Sequence, residues 1–230
     1  MTNKDKLIVA LDFSSIEEAK SMVNTLGESV SFYKIGLELL GSGSYFSFLE
    51  WLKANNKKVF ADLKFFDIPA TVGAAVRQMS NLGADYLTIH GEPQIMQAAN
   101  ENKEGNLKIL AVTVLTSLDE NDIKNMGYSL SIQDLVNKRA KSALELGIDG
   151  TISSVHEAAS IRKLCGEEFI IVTPGIRLAD KNVHDQKRVA TPETAIKNGA
   201  SHMVVGRAIT QAKNPAMAAN LIQEIINNSL

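Results

Sequence analysis

Residues 59–69 read Val59-Phe60-Ala61-Asp62-Leu63-Lys64-Phe65-Phe66-Asp67-Ile68-Pro69, an apolar strand that runs into charged residues and ends at a proline. Side chains alternate along a strand, so Asp62 and Lys64 are predicted to share one face, with Asp67 just beyond the strand. Burial of such charges without partners would cost roughly several kcal/mol per ion. Their grouping therefore indicates that they neutralise one another and do chemistry. A bare Asp-x-Lys would indicate only a solvated turn, but the Asp-Ile-Pro continuation argues against that interpretation.

Bulk composition places the chain among ordinary globular proteins. It has 230 residues, of which 45% are hydrophobic, and a net charge of -2. We expect one domain spanning residues 1–230, without nucleic acid or a membrane as a partner. Cys165 is the only cysteine, and the apolar run at 7–11 is too short for the core of a signal peptide. The sequence therefore predicts a soluble, cytoplasmic protein.

Short apolar runs alternate with segments that have apolar residues at helical spacing. Eight strands are predicted, at Leu7–Leu11, Ser31–Ile35, Lys58–Ala61, Tyr86–Ile89, Ile109–Val114, Gly150–Ser153, Phe169–Thr173 and His202–Val205. Gly83, Gly147 and Gly199 are predicted to end helices just before strands. Strands that are apolar throughout and separated by helices indicate a parallel sheet with both faces covered. Eight such units favour an α/β fold of the closed (β/α)8 (TIM) barrel type, with an open doubly wound sheet as the alternative.

Polar residues gather where six of the predicted strands end. In a (β/α)8 barrel the carboxyl ends of the strands form one mouth, where chemistry takes place. We therefore expect a common site built from these ends, which contribute Asp12, Lys34, Asp62 with Lys64, Thr116 with Ser117, the stretch from Pro174 to Arg177, and Gly206 with Arg207.

Lys34, Asp62, Lys64 and Asp67 are predicted to form a row of alternating charge. Each charge then has an opposite neighbour, which keeps both lysines ionised in a desolvated pocket. A fixed ammonium group stabilises negative charge that develops on a substrate, and it can also donate a proton.

A phosphate site is predicted beside this row. Gly206 ends the last strand, and Arg207 can bind phosphate with two hydrogen bonds. The polar segment 176–190 is long for a loop in a compact domain and is predicted to be a lid. Arg177 and Gln186 are candidates to reach the phosphate from that segment. The four histidines show no metal-ligand spacing, and His90 is expected to be structural.

Taken in this order, these motifs resemble the orotidine 5'-monophosphate decarboxylase family, and the resemblance covers essentially the whole chain. It implies decarboxylation to uridine 5'-monophosphate in pyrimidine synthesis, with neither metal nor cofactor. Asp62 would face the substrate carboxylate, and Lys64 would stabilise and then protonate the carbanion at C6. The resemblance further assigns ribose binding to Lys34 and Asp12, pyrimidine contacts to Thr116 and Ser117, and the phosphate to Arg177, Gln186, Gly206 and Arg207. Pro174 is also expected among the residues that bind the substrate.

The resemblance also implies a homodimer with shared active sites. Asp67 would complete the charge row of the partner's site, and Thr71 would touch the ribose bound there. Each active site would then need residues from two chains, so a dimer would be required for activity.

Two other functions remain open at this point. A related barrel decarboxylates or condenses sugar phosphates with magnesium and shares the Asp-x-Lys strand, but its metal needs further carboxylates at neighbouring strand ends. A non-catalytic barrel that binds phosphorylated ligands would keep Gly206 and Arg207 but has no need for Lys64 between two acids.

Overall fold

The computed structural model describes residues 3–177 and 190–230 and shows a closed barrel of eight parallel strands. Consecutive strands are neighbours, and the last pairs with the first. The closed (β/α)8 barrel is thereby confirmed, and the open sheet is excluded. The strands are β1 Leu7–Ala10, β2 Phe32–Gly36, β3 Lys58–Phe65, β4 Tyr86–His90, β5 Lys108–Val112, β6 Gly150–Ile152, β7 Ile170–Thr173 and β8 His202–Val205.

Helices follow the strands and cover the outside of the barrel. They are α1 Ile16–Leu26, α2 Leu37–Gly41, α3 Tyr45–Ala54, α4 Pro69–Asn81, α5 Pro93–Asn102, α6 Glu120–Asn125, α7 Ile132–Glu145, α8 Val155–Cys165, α9 Pro192–Lys197, α10 Arg207–Thr210 and α11 Pro215–Asn228. Within the described ranges, none of these helices has both the length and the apolarity needed to cross a membrane.

Local sequence signals account for where several helices begin and end. Ser15 caps α1 and accepts a hydrogen bond from the backbone N–H of Glu18 at 3.3 Å. Pro69 occupies the first turn of α4, where its missing N–H has no consequence for the helix. Gly147 follows α7 at a φ of 72°, and a Cβ there would lie 2.8 Å from Nδ2 of Asn100. Glycine is therefore required at this turn both by its backbone angle and by space.

The core has two layers. One fills the space between the strands and the helices, and the other fills the barrel itself. The inner layer consists of side chains from all eight strands, with two each from β1 and β5: Ile8, Ala10, Phe32, Phe60, Tyr86, Leu110, Val112, Ile152, Val172 and Val204. This layer fills the barrel below the mouth, and the cavity that the predicted site residues line opens at the carboxyl ends of the strands.

β3 is longer than the sequence predicted. It extends to Phe65 rather than ending at Ala61, and its pairing with β4 contains a bulge. Ala61 pairs with Leu87 and Phe65 with Ile89, so residues 62–64 of β3 stand opposite Thr88 alone. Alternation was the wrong reason for expecting Asp62 and Lys64 on one face, because the extra residues of the bulge change the alternation locally.

Candidate active site

A cavity of about 770 Å³ opens at the carboxyl ends of the strands. It contains ten of the predicted site residues, which are Asp12, Lys34, Asp62, Lys64, Thr116, Ser117, Pro174, Arg177, Gly206 and Arg207. Residues from β1, β2, β3, β5, β7 and β8 or from the segments after them therefore share one space. Its volume lies in the range of small-molecule sites.

A row of charges crosses the floor of this cavity. The Lys34 ammonium lies 2.9 Å from Oδ1 of Asp12 and 3.6 Å from Oδ2 of Asp62. The Lys64 ammonium lies 2.7 Å from Oδ1 of Asp62. Asp62 is thus held between two lysines, while the Asp12 carboxylate is about half exposed at the near end of the row.

Opposite charges keep this buried row ionised. Burial lowers the pKa of Lys34, but the carboxylates of Asp62 and Asp12 outweigh that effect, so its pKa lies above the ordinary value. Burial raises the pKa of Asp62, but the ammonium groups of Lys34 and Lys64 and a hydrogen bond from Thr88 outweigh it and hold the pKa below the ordinary value. The row from Asp12 to Lys64 therefore alternates in sign, and it ends at the Lys64 ammonium.

The bulge in β3 places Lys64 in this row. Its φ is 49°, in the left-handed region that side chains other than glycine rarely adopt. The hydroxyl of Thr88 accepts the backbone N–H of Lys64 at 2.9 Å and donates to Oδ1 of Asp62 at 2.9 Å. Sequence reasoning missed Thr88, because its role comes from its position opposite the bulge and a single strand pattern does not reveal a bulge.

Two arginines lie at the opposite side of the cavity from β3. Arg177 follows β7, and its backbone N–H donates to the carbonyl of Ala190 at 2.9 Å. Arg207 opens α10, which is a single turn of four residues. The predicted lid at 176–190 lies mostly outside the described residues, as does Gln186.

Asp67 and Thr71 lie outside the cavity of their own chain. Both side chains are exposed, and Oδ1 of Asp67 accepts the backbone N–H of Ile68 at 2.6 Å. The predicted four-member row therefore has three members from β2 and β3 within one chain and ends at Lys64. Phe66 and Ile68, on either side of Asp67, are 64% and 67% exposed.

Other residues that line the cavity carried no signal in the sequence. They include Phe13, Glu38, Val114, Ser153 and Gln211. Each has an ordinary residue type at an ordinary position, and only the closure of the barrel brings it to the mouth. Among the described residues, no group of three or more histidine, cysteine, aspartate or glutamate side chains could hold a metal ion.

Comparison with known proteins gives consistent results. The model of the orotidine 5'-phosphate decarboxylase / HUMPS family matches residues 5–222. An orotidine 5'-phosphate decarboxylase of Methylococcus capsulatus is 50% identical over 225 residues, which are 97% of this chain and 93% of that protein. One of Afipia carboxidovorans is 51% identical over 220 residues, which are 95% and 93% of the two chains.

Solved structures agree with the sequence relatives. The crystal structure of orotidine 5'-phosphate decarboxylase from Lactobacillus acidophilus has a TM-score of 0.84 and 32% identity, and the match covers 97% of this chain and 99% of that one. The structure of orotidine 5'-phosphate decarboxylase from Pyrococcus horikoshii has a TM-score of 0.78 and 26% identity, with 96% and 99% covered.

Proposed function

The chain belongs to the orotidine 5'-phosphate decarboxylase / HUMPS family, and we propose that it converts orotidine 5'-monophosphate to uridine 5'-monophosphate and CO2. The observation that carries this proposal is the Lys34–Asp62–Lys64 row on the cavity floor, with two arginines across the same cavity. Orotidine 5'-monophosphate carries a phosphate at one end and a carboxylate on its pyrimidine at the other. This cavity has arginines on one side and lysines on the other, which match the two anionic groups.

The reaction breaks the bond between C6 and the carboxylate carbon, and the electron pair remains on C6. In our proposal the carboxylate lies beside Asp62, and C6 lies near the Lys64 ammonium. The Lys64 ammonium stabilises the carbanion more than the substrate, whose charge lies farther out on the carboxylate. Lys64 then gives a proton to C6, and the neutral amine regains a proton from solvent.

The remaining contacts hold the nucleotide in place. Lys34 and Asp12 bind the ribose hydroxyls, and Thr116 and Ser117 bind the pyrimidine. Arg177, Gly206 and Arg207 hold the phosphate at the far side of the cavity together with Gln186, and Pro174 also contributes to substrate binding. No step in this scheme uses a metal or a cofactor.

We further propose that two copies of the chain form a homodimer with shared active sites, in the cytoplasm, each copy being one domain over residues 1–230. Asp67 and Thr71 are exposed beside the cavity mouth, with the apolar side chains of Phe66 and Ile68 next to them. If a partner chain covered these apolar side chains, Asp67 of the first chain would enter the active site of the partner. There Asp67 would follow Lys64 and complete the row of four charges.

The test is the absorbance of orotidine 5'-monophosphate during incubation with the enzyme, with and without exhaustive chelation. We expect the same rate in both, and no turnover by Lys64→Ala although the product nucleotide still binds. Loss of activity in chelator that magnesium restores would favour the sugar-phosphate alternative. Nucleotide binding without turnover by the unaltered protein would favour a non-catalytic barrel.

A further inference from the structure

Behind the cavity, one side chain joins three segments that follow different elements. Arg139 lies on α7, outside the barrel, with its side chain 17% exposed. Its Nη1 donates to the carbonyl of Thr113, at the end of β5. Its Nη2 donates to Oε1 of Glu92, after β4, at 3.0 Å, and to the hydroxyl of Tyr128, after α6, at 3.0 Å.

The chain leaves space for this arrangement at Gly91. A Cβ at that position would lie 2.7 Å from the carbonyl oxygen of Val112 and 3.4 Å from Cδ of Arg139. The first distance is too short for a real contact, so any larger residue would force the ends of β4 and β5 apart. Glycine thus lets Glu92 and Thr113 approach closely enough for one guanidinium to reach both.

The contact falls where β5 gives way to the loop that carries Thr116 and Ser117. The Thr113 hydroxyl already donates to the carbonyl of Ile152 at 3.2 Å, which ties this residue to β6. Its own carbonyl points the other way, to Arg139. Only two residues separate Thr113 from Thr116, and a turn closes between Leu115 and Leu118. Holding the Thr113 peptide in place therefore also holds the start of the loop that carries Thr116 and Ser117.

The charges around Arg139 explain why the contact is rigid. Oε2 of Glu92 is buried and has no hydrogen-bond partner among the described residues; the nearest ring nitrogen, Nδ1 of His90, is 3.9 Å away. Burial lowers the pKa of His90 despite this carboxylate, so the ring is neutral near pH 7. The Glu92 carboxylate consequently depends on the Arg139 guanidinium as its opposite charge.

We propose that Arg139 is a positioning residue for the decarboxylation, and this inference rests on the function proposed above. It holds the segment 113–117 so that Thr116 and Ser117 are in place before the pyrimidine binds. Loops arranged in advance spare the enzyme the ordering cost at the moment of binding, and small misplacements at a reaction centre can cost up to about a hundredfold in rate.

The test compares Arg139→Met with Arg162→Met. Arg162, on α8, also binds backbone carbonyls, those of Gly166, Phe169 and Gly199, but at the opposite end of the barrel from the cavity. We expect both variants to lower the melting temperature. Arg139→Met alone should lower kcat/KM, by roughly tenfold to a hundredfold. The loss should be equal on orotidine 5'-monophosphate and on orotidine, because both present the same pyrimidine.

A double variant, Arg139→Met with Glu92→Gln, separates positioning from stability. Removing the carboxylate charge should restore much of the melting temperature, since no partly buried carboxylate is left without its guanidinium partner. The loss in kcat/KM should persist, because the Thr113 carbonyl still lacks its donor. Recovery of both together, or an unaltered kcat/KM in Arg139→Met, would overturn the inference. An unaltered protein that does not turn over the nucleotide would instead overturn the proposed function, and this inference with it.

Discussion

Lys64 shows how a single backbone conformation serves the site. A left-handed conformation costs roughly 1–2 kcal/mol for a residue with a Cβ, and here the φ is 49°. Thr88 offsets part of that cost by accepting the Lys64 N–H, which has no strand partner in the bulge. The bulge in turn lets the Lys64 ammonium and the Asp62 carboxylate meet at 2.7 Å. Stability is given up locally so that the Lys64 ammonium lies beside Asp62 in the cavity.

This strain predicts an unusual order of stability between two inactive variants. Lys64→Gly should be more stable than Lys64→Ala by about 0.5–1 kcal/mol, which is the relief of strain less the greater unfolded-state entropy of glycine. Both lack the ammonium, so the comparison isolates the backbone. Denaturant unfolding monitored by circular dichroism gives the two free energies. An alanine variant that is the more stable would mean that the bulge relaxes once the charge is removed.

In the proposed reaction, Arg207 binds the phosphate at a distance from the bond that breaks. A hydrogen bond to a charged group contributes roughly 1.5–3 kcal/mol, so Arg207→Ala should lower kcat/KM for the nucleotide by at least about tenfold. The same variant should leave the slow reaction of orotidine, which has no phosphate, nearly unchanged. Steady-state kinetics on both substrates measure the difference. Equal losses would place Arg207 in the fold or the pyrimidine pocket.

At the scale of elements, sequence predicted the strands better than the details of their ends. Buried parallel strands give continuous apolar runs, so all eight were found, most within one residue. β3 extends four residues beyond its predicted end at Ala61. The continuation contains a bulge and charged residues, so it lacks the continuous apolar run that marks the other strands. Arg139 gave no signal, because its partners come from three separate segments.

The foot of the barrel carries a buried polar pair between β4 and β8. The ring of His202 accepts or donates a hydrogen bond with the Tyr86 hydroxyl at 2.8 Å, and its other nitrogen lies 2.8 Å from the carbonyl of Asp5. Burial lowers the pKa of His202 to about 4. The ring is therefore neutral and structural, far from the cavity.

Acidification should destabilise the protein through His202. The unfolded chain takes up a proton near pH 6.5 and the folded chain near pH 4, so stability is full above about pH 6.5 and falls as pH drops toward 4. The loss amounts to roughly 3 kcal/mol at the acid end, at 1.4 kcal/mol for each pH unit. Urea unfolding between pH 4.5 and 7 should show a steeper pH dependence for the unaltered protein than for His202→Gln. Parallel curves would assign the acid sensitivity to other groups.

At the scale of the whole molecule, one chain builds an incomplete charge row. Asp62 is held between Lys34 and Lys64, whereas Asp67 is exposed and bonded only to its own neighbour's N–H among the contacts described. Two large apolar side chains, Phe66 and Ile68, are exposed on either side of it. Exposed apolar side chains that lie close together, as these do beside Asp67, are typical of an interface.

Mixing two inactive variants tests whether the site is shared. If Asp67 serves the partner's site, a dimer of one Asp67→Ala chain and one Lys64→Ala chain has one site with both lesions and one site with neither. Random exchange makes half of the dimers mixed, so about a quarter of all sites should be active. If Asp67 instead serves its own chain, every site in the mixture carries one lesion and no activity returns. Native mass spectrometry of differently tagged chains establishes that exchange has occurred. Recovery near a quarter of the unaltered rate therefore requires both a dimer and a carboxylate supplied across it, and silence after proven exchange rules out the shared site.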